Sequence, residues 1–310
     1  MRILVVGAGA LGGYFGGRLI EAGRDVTFLL RARRAAQIEK TGLVVRSSVG
    51  DMHIPAPAHV LAADIDRPFD LIVVGCKAYD LADTMDSFAA AVGPDTMILP
   101  LLNGMGHIDQ ISARFGSGKV LGGYCMISAT LDAEGTVLHF GETHAIAFGE
   151  RDAVASSRVA AIEAEFSGAN CDARVTDGIL QEMWEKWVFI ASLASLTSLM
   201  RATVGDIVTA GGQDVALALF AECSAIAAHN GFAPRPAAVA RGHAMLTAAD
   251  SGITASMAKD IARNGAVEAD HIVGDLLGRA QKTDAVQPST LRVAYLHLKA
   301  YEARRAREAL

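Results

Sequence analysis

Cysteine is scarce in this chain of 310 residues, and the four cysteines that occur are far apart. They form no Cys-x-x-Cys pair and lie among apolar neighbours, at Cys76, Cys125, Cys171 and Cys223. Isolated cysteines of this kind are typical of buried thiols, and they argue against a disulfide framework and a zinc site. We therefore expect a protein of the reducing cytoplasm that holds no metal.

Long uninterrupted apolar runs are also missing. The longest stretch, residues 187–200, is broken by serines and a threonine and is shorter than the ~18 apolar residues that a membrane-spanning helix needs. The apolar start of the chain is interrupted by glycines and then by Arg18, which argues against a signal peptide. The sequence predicts neither a membrane segment nor a secreted protein.

An excess of positive charge is the third absence, since the formal net charge is -6. This balance argues against broad nucleic-acid binding, which needs a basic surface. Hydrophobic residues make up 51% and charged residues 20%, which is the composition of a globular protein with a sizeable core. The length favours two domains over one. We expect the partner to be a small-molecule substrate.

Strand and helix patterns alternate in the first part of the chain. Four short, continuously apolar segments are predicted to be buried strands: 2–6, 25–30, 70–76 and 96–102. Helical patterns separate them, which indicates a parallel sheet with helices on both faces, an α/β fold. Residues 119–149 read instead as short strands with turns at Glu134-Gly135 and Gly141-Glu142, an antiparallel extension of the sheet.

Beyond a last predicted strand at 171–175, the chain is rich in alanine and leucine at helical spacing. The predicted helical segments are 178–200, 214–229, 235–249, 256 onward, and 288 to the end. Asn230-Gly231 and Asn264-Gly265 mark breaks between them. We predict two domains, 1–176 and an all-helical 177–310. The apolar helices of the second could bury a homodimer interface or only their own core.

A glycine-rich turn joins the first strand to the first helix. Its residues are Gly7, Ala8, Gly9, Ala10, Leu11 and Gly12, which fit Gly-x-Gly-x-x-Gly. In this pattern the first glycine makes the turn, the second admits a pyrophosphate and the third lets helix and strand pack closely. A turn without a ligand is the alternative, but the strand-helix-strand context favours dinucleotide binding. The sequence predicts a Rossmann-type domain with these six residues against the cofactor.

The end of the second strand indicates which dinucleotide is bound. A chain that binds NAD usually carries an acidic residue there, whereas this chain has Arg31, followed by Arg33 and Arg34. A guanidinium pairs well with the 2'-phosphate of NADP. We assign this role to Arg31 and interpret Arg34 as part of an exposed basic helix start. The predicted cofactor is NADPH.

Four further motifs accompany the glycine-rich turn along nearly the whole chain. They are Gly75-Cys76-Lys77-Ala78, Leu102-Asn103-Gly104-Met105-Gly106, Trp184-Glu185-Lys186-Trp187, and Ser256-Met257 with Glu268 twelve positions after the serine. Together these motifs resemble those of the ketopantoate reductase (2-dehydropantoate 2-reductase) family. The resemblance implies that the protein reduces ketopantoate to pantoate with NADPH, in pantothenate biosynthesis.

Lys186 corresponds to the lysine that serves as general acid in this family. Such a lysine could stabilise charge on the ketone oxygen, donate the proton and contact the substrate. Burial beside tryptophan would lower its pKa. The ordinary alternative is a lysine that extends from an apolar helix into water.

The resemblance also implies contacts near the ends of the predicted strands. Lys77 and Asn103 follow two parallel strands, at the edge where ligands bind in α/β sheets. By resemblance Asn103 contacts cofactor and substrate, and Lys77 contacts the nicotinamide side of the cofactor. Ala129 is a further cofactor contact by resemblance. Lys77 could otherwise be a solvated loop lysine, and Asn103-Gly104 an ordinary turn.

Ser256 and Glu268 match a serine that binds the substrate carboxylate and a glutamate that contacts the cofactor. A continuous helix would hold them ~18 Å apart. A break at Asn264-Gly265, with a second helix from about Ala266, would bring both to one cleft. Their alternative roles are an N-cap serine and a first-turn glutamate.

The chain departs from the family at three substrate-holding asparagines, which are replaced by Ile190, Ala194 and Val204. A buried substrate hydroxyl would then stay unsatisfied, at about 1 to 3 kcal/mol, unless a nearby hydroxyl replaces them. The candidates are Ser192, Ser195, Thr197 and Thr203. Two other functions therefore stay open: a reductase of more apolar 2-oxo acids, and an NADPH-sensing protein without catalysis.

Overall fold

The computed structural model describes residues 1–280 and 289–308, which form two compact units. The first unit contains Met1–Leu102 and His107–Leu180, and the second contains Asn103–Gly106 together with the described residues from Gln181 onward. The sequence places the division after Thr176. The first turn of the following helix stays with the first unit because Ile179 is buried there, where a Cβ at Gly122 would lie only 2.7 Å from it.

The described residues form ten strands, all in the first unit. They are β1 (Arg2–Val6), β2 (Asp25–Leu29), β3 (Leu43–Ser47), β4 (Met52–Ile54), β5 (His59–Val60), β6 (Leu71–Val74), β7 (Met97–Pro100), β8 (Gly122–Leu131), β9 (Val137–Gly149) and β10 (Asp172–Val175). The first sheet has the parallel order β5-β2-β1-β6-β7. This is the Rossmann-type sheet that the sequence predicts.

Register brings the carboxyl ends of the central strands to one edge. Val6 at the end of β1 pairs with Leu29 and with Val74, and Val74 pairs with Pro100. The residues after these four strands therefore share one edge of the sheet. In parallel α/β sheets this edge is the usual position of a ligand site.

A second sheet has the order β10-β9-β3-β4, with β8 also paired to β9. The predicted antiparallel extension is the β8–β9 hairpin, which connects to the first sheet through a bridge between Ile98 and Val120. Its turn contains Gly135 at a φ of 83°. The second predicted turn, at Gly141, is instead an irregularity inside β9, because the register there shifts between Ile127 and Ser128.

Helices make up the rest of the described chain. The first unit contains α1 (Ala10–Glu21), α2 (Ala32–Thr41), α3 (Leu81–Phe88), α4 (Gly106–Phe115, without its first residue) and α5 (Ser157–Phe166). From α6 onward the chain forms α6 (Ile179–Met200), α7 (Val204–Thr209), α8 (Gln213–His229), α9 (Pro236–Leu246), α10 (Ser256–Ala262), α11 (Asp275–Gly278) and α12 (Thr290–Glu308). A turn of π-helix, Asp270–Gly274, precedes α11.

The second unit contains no strand within its described residues, as predicted for an all-helical domain. The helix α7 was not predicted from the sequence, and the predicted helix start at Pro288 lies outside the described residues. Within 1–280 and 289–308, we find no helix with both the length and the apolar character needed to cross a lipid bilayer.

Candidate active site

The glycine-rich turn has the geometry that its sequence predicts. Gly7 has a φ of 88° and donates its N–H to the carbonyl of Leu29 at 2.9 Å. A Cβ at Gly12 would lie 2.0 Å from the carbonyl oxygen of Gly7, so only glycine lets α1 pack this closely on β1. A Cβ at Gly9 would enter open space. The turn therefore leaves room beside Gly9.

The N-terminus of α1 opens onto this turn. Gly9 is its N-cap, and within the described residues no side chain caps the helix and no acidic residue lies in its first turn. The first N–H groups and the positive end of the helix dipole therefore favour an anion here. Open space beside Gly9 and an uncapped helix start fit the pyrophosphate of a dinucleotide.

Two arginines near the turn have different surroundings. Arg31 is the N-cap of α2, and its exposed side chain lies 3.7 Å from the carboxylate of Asp80, a loose pair. Arg34 turns back, donating from Nε to the carbonyl of Ala8 at 3.0 Å and from Nη1 to Gln37 at 2.8 Å. Burial lowers the pKa of the Arg34 guanidinium. The interpretation of Arg34 as exposed is wrong, because Arg34 supports the glycine-rich turn.

Lys77 and Ala129 are the other residues of the first unit with a predicted cofactor contact. Lys77 is half-buried, follows β6, and accepts at its carbonyl a hydrogen bond from the Asp80 N–H. Ala129 is half-buried in β8, where it pairs with His139. Lys77 therefore lies at the carboxyl edge of the sheet. Both assignments stay predictions.

The turn Asn103–Gly106 belongs to the second unit. Gly104 has a φ of 79°, and a Cβ there would approach the carbonyl oxygen of His271 to 3.1 Å. A Cβ at Gly106 would lie 3.1 Å from a carboxylate oxygen of Asp275. The turn thus packs against the π-helical segment and the start of α11. This contact explains why half-buried Asn103 joins the helical unit, although it follows a strand of the first.

Lys186 is half-buried on α6 between two buried tryptophans. The rings of Trp184 and Trp187 are 4.9 Å apart, and the indole N–H of Trp187 donates to the carbonyl of Ile272 at 2.9 Å. The part of α6 that carries Lys186 therefore packs on the same 270–275 segment as the Asn103 turn.

Glu185 has a structural role that the sequence analysis did not predict. Its buried carboxylate accepts hydrogen bonds from the N–H and guanidinium of Arg235, at 2.7 to 2.9 Å, and from Gln181 at 3.1 Å. Burial alone would raise the pKa of this carboxyl, but the hydrogen bonds from Arg235 and Gln181 outweigh it and lower the pKa. Glu185 thereby fixes α6 against the start of α9. The signal for this role in the sequence was a charged residue next to a tryptophan, which the structure shows to be buried.

Ser256 lies at the exposed start of α10 and is not its N-cap, which is Ala255. The interpretation of Ser256 as a capping serine is wrong for this reason. The N–H of Ala255 donates to Oγ1 of Thr197 on α6 at 3.2 Å. The beginning of α10 is therefore fixed on α6.

The helix that begins at Ser256 ends before Asn264-Gly265, where the sequence predicts a break. After α10 the chain turns at Asn264, whose φ is 54°, and the Gly265 N–H donates to the carbonyl of Asp260 at 2.8 Å. The hydroxyl of Tyr301 on α12 donates to the Gly265 carbonyl at 2.7 Å. Helical structure resumes around Asp270, later than Ala266, and half-buried Glu268 immediately precedes it.

One described unit thus contains all four predicted residues of the chemical step: Asn103, Lys186, Ser256 and Glu268. Each lies on α6 or on a segment that contacts α6 or the 270–275 segment. The roles of the four residues stay predictions, and the sequence did not predict the contacts that join their segments.

The stretch beyond Lys186 is apolar, with Ile190 half-buried and Ala194 and Val204 buried. Three of the four hydroxyls that could replace the missing asparagines are already bonded, as shown by Ser192 to the Val188 carbonyl, Thr197 to the Leu193 carbonyl, and Thr203 to Asp206. Ser195 follows Lys186 by nine residues, about two and a half helical turns, and so lies on the opposite face of α6.

Comparison with known proteins covers both units. The family model "Ketopantoate reductase PanE/ApbA" matches residues 3–153, and the model of its C-terminal part matches residues 178–302. The uncharacterized oxidoreductase YkpB of Bacillus subtilis (strain 168) is 34% identical over 304 residues, which cover 98% of this chain and 99% of YkpB.

Solved structures give the same result for the fold. The 2-dehydropantoate 2-reductase from Methylococcus capsulatus superposes with a TM-score of 0.86 at 26% identity, over 98% of each chain. D-mandelate dehydrogenase, in a ternary structure with NADH and anilino(oxo)acetate, has a TM-score of 0.86 over 99% of each chain. Its identity is 23%, so this likeness concerns the fold. The chain belongs to the ketopantoate reductase family, and it is an oxidoreductase that uses a nicotinamide cofactor on a small-molecule substrate.

Proposed function

We propose that the protein reduces 2-dehydropantoate (ketopantoate) to pantoate with NADPH, as a step of pantothenate biosynthesis. The observation that carries this proposal is that Asn103, Lys186, Ser256 and Glu268 lie in one unit of a chain whose other unit carries a glycine-rich turn with an uncapped helix start. Membership of the ketopantoate reductase family supports this substrate.

The cofactor would be held by the first unit. The glycine-rich turn and the start of α1 would bind the pyrophosphate, and Arg31 would bind the 2'-phosphate. Arg31 supports NADPH over NADH because its side chain is 75% exposed and its guanidinium is only loosely paired with Asp80. When bound, the reduced nicotinamide supplies a hydride to C2 of the oxo acid.

The residues of the second unit would handle charge and protons. The Lys186 ammonium would stabilise the negative charge that develops on the ketone oxygen and then donate a proton to that oxygen. The Ser256 hydroxyl would donate a hydrogen bond to the substrate carboxylate. Asn103 would orient the substrate, and Trp184 and Trp187 would keep water from part of the Lys186 side chain.

A cytoplasmic location is part of the proposal. Cys171 and Cys223 are free thiols. Burial raises the pKa of Cys171 to about 11 and that of Cys223 to about 12, so both stay protonated at neutral pH. Unpaired, unreactive thiols of this kind fit a reducing compartment.

The experiment compares two substrates that differ by one hydroxyl. Loss of NADPH absorbance is followed with ketopantoate and with 3,3-dimethyl-2-oxobutanoate, which lacks only the 4-hydroxyl. If the site recognises that hydroxyl, kcat/KM for ketopantoate should be about 10-fold to 100-fold higher, because an unsatisfied buried polar group costs about 1 to 3 kcal/mol. Equal or reversed values would contradict ketopantoate as the substrate.

A second candidate function is the reduction of more apolar 2-oxo acids. The apolar stretch of Ile190, Ala194 and Val204 favours it, because the bonded hydroxyls of Ser192 and Thr197 do not replace the missing amides. This candidate predicts that 2-oxoisovalerate and 3,3-dimethyl-2-oxobutanoate are reduced at least as well as ketopantoate. If no oxo acid is reduced although NADPH binds and raises the melting temperature, both functions are wrong and a sensing role is favoured.

A further inference from the structure

A separate cavity of about 510 Å³ lies in the second unit, at the C-terminal end of α6. It is lined by residues of α6, the following turn, the start of α7 and α10 with the residue Thr254 before it. Lys186, Asn103, Ser256 and Glu268 are not among its lining residues. The hydrogen bond from the Ala255 N–H to Thr197 joins α10 to α6 beside it. The proposed function therefore does not account for this cavity.

A buried hydroxyl in the cavity wall lacks a hydrogen bond. Ser198 is 1% exposed, and its Oγ has no partner among the described residues. Of the other buried hydroxyls of α6, those of Ser192 and Thr197 donate to carbonyls four residues earlier at 2.7 Å, whereas that of Ser195 likewise has no partner among the described residues. Buried polar groups are normally hydrogen-bonded. Because Ser198, unlike Ser195, belongs to the lining of the cavity, its hydroxyl is a candidate donor to a bound ligand.

Two cations line the same cavity, Arg201 and Lys259, against one carboxylate, Asp206. Oδ2 of Asp206 already accepts hydrogen bonds from the N–H and hydroxyl of Thr203, in the capping box of α7. The lining therefore carries a net positive charge, together with hydroxyl donors. Guanidinium, ammonium and hydroxyl groups together are the donors that bind phosphate and carboxylate oxygens.

Arg201 occupies a position where glycine is usual. It follows the last residue of α6 with a φ of 55°, the left-handed conformation that often ends a helix and that glycine adopts without cost. Arg201 therefore adopts an unfavourable backbone conformation at a position where it adds a positive charge to the lining of the cavity.

We propose that this cavity binds the oxyanion group of a small metabolite, a phosphate or a carboxylate, at a site separate from that of the oxo acid. Arg201 and Lys259 would pair with the anion, and the Ser198 hydroxyl would donate to one of its oxygens. The proposal does not depend on which oxo acid the enzyme reduces.

The test measures binding of sodium phosphate and of sodium acetate to the full-length protein by calorimetry, with sodium chloride at equal ionic strength as reference. Saturable binding of phosphate, acetate or both is expected, and the stronger ion identifies the class of metabolite. Binding no stronger than that of chloride for both ions would overturn the proposal.

Variants assign the bound ion to the cavity. Arg201→Gly removes the charge at a position where glycine favours the fold. It should raise the Kd of the bound ion by about tenfold or more, as should Lys259→Gln. Ser198→Ala should weaken Kd by a smaller factor. The matched control Arg67→Gln, at an exposed arginine of the first unit, should stay within about twofold.

The cofactor turn could also hold phosphate, so the same titration is repeated in a Gly9→Ala, Arg31→Gln double variant. Binding that persists in this protein and is lost on adding Arg201→Gly supports the cavity. Binding that is lost in the double variant and unaffected by Arg201→Gly alone would assign the ion to the cofactor turn and overturn the proposal.

Discussion

At the scale of single residues, Lys186 is the group whose removal should affect the reaction most. Replacement by alanine removes the proton donor and the positive charge near the ketone oxygen, so kcat should fall about 10²-fold to 10⁴-fold. The Kd for NADPH should change less than about threefold, because the proposed phosphate contacts lie on the first unit. Steady-state kinetics and a fluorescence titration of NADPH measure the two quantities.

Lys186→Arg separates charge from proton donation in the same assays. Arginine keeps the charge but does not give up a proton at neutral pH, so KM should stay near the wild-type value while kcat stays low. An equal loss of kcat and of NADPH affinity in the alanine variant would instead assign Lys186 a structural role.

Arg31 should determine the choice between the two nicotinamide cofactors. Arg31→Gln removes a charged partner of the 2'-phosphate, so KM for NADPH should rise about 10-fold to 100-fold while KM for NADH changes little. Its exposed neighbour Arg33 gives the matched control, Arg33→Gln. If KM rises equally for both cofactors in Arg31→Gln, the arginine does not recognise the 2'-phosphate.

At the scale of elements, the strand-turn-helix unit of β1 and α1 makes different demands on two of its glycines. Gly12→Ala would place a Cβ 2.0 Å from the Gly7 carbonyl oxygen, so α1 must shift on β1. We expect a loss of about 3 kcal/mol in the free energy of unfolding. Gly9→Ala should cost less than about 1 kcal/mol, because its φ is -82° and its Cβ meets no atom.

NADPH affinity distinguishes the same two variants. The added methyl of Gly9→Ala occupies the space proposed for the pyrophosphate, so a stable protein should bind NADPH at least about tenfold more weakly. Urea denaturation and NADPH titration provide the two readouts. A Gly9→Ala protein that binds NADPH normally would show that the pyrophosphate lies elsewhere.

The elements also show what local sequence determines. Strands β1, β2, β6 and β7 could be predicted because each is a continuous apolar run, buried on both faces. Strands β3 and β5 escaped prediction because they are short and form only against partners distant in the chain, such as β9 for β3. The same reason explains why the sequence predicts a turn at Gly141. The pairing of β9 with β8 sets the register that makes this position part of a bulge.

The residues of the candidate site divide in the same way, into positions that local sequence predicts and positions that long-range contacts determine. Lys77 could be located because it follows a predicted strand, and the break at Asn264-Gly265 carries its own turn signal. The position of Asn103 in the helical unit depends on His271, and the burial of Glu185 depends on Arg235, fifty residues away. Long-range contacts of this kind leave no periodic signal in the sequence.

At the scale of the whole molecule, a buried polar cluster in the first unit links stability to pH. His144 is 7% exposed on β9, and its Nδ1 is hydrogen-bonded to the hydroxyl of Tyr14 on α1 at 2.7 Å. The His139 ring stacks on it at 5.9 Å, and Arg18 lies over the Tyr14 ring. Burial lowers the pKa of His144, Asp172 opposes this, and His139 and Arg18 add to it.

The lowered pKa of His144 predicts that the folded protein loses stability as the pH falls through about 6.5, the usual pKa of histidine in an unfolded chain. Below that pH the unfolded chain binds a proton that folded His144 binds less readily, so the free energy of unfolding decreases with falling pH, by at most about 1.4 kcal/mol per pH unit from this group. Urea denaturation between about pH 8 and pH 5.5 measures the slope, in a window above the range where carboxylates titrate. His144→Asn keeps a polar side chain without a titrating proton, so its curve should be flatter than that of the wild type. Parallel curves for the two proteins would show that His144 does not set the pH dependence.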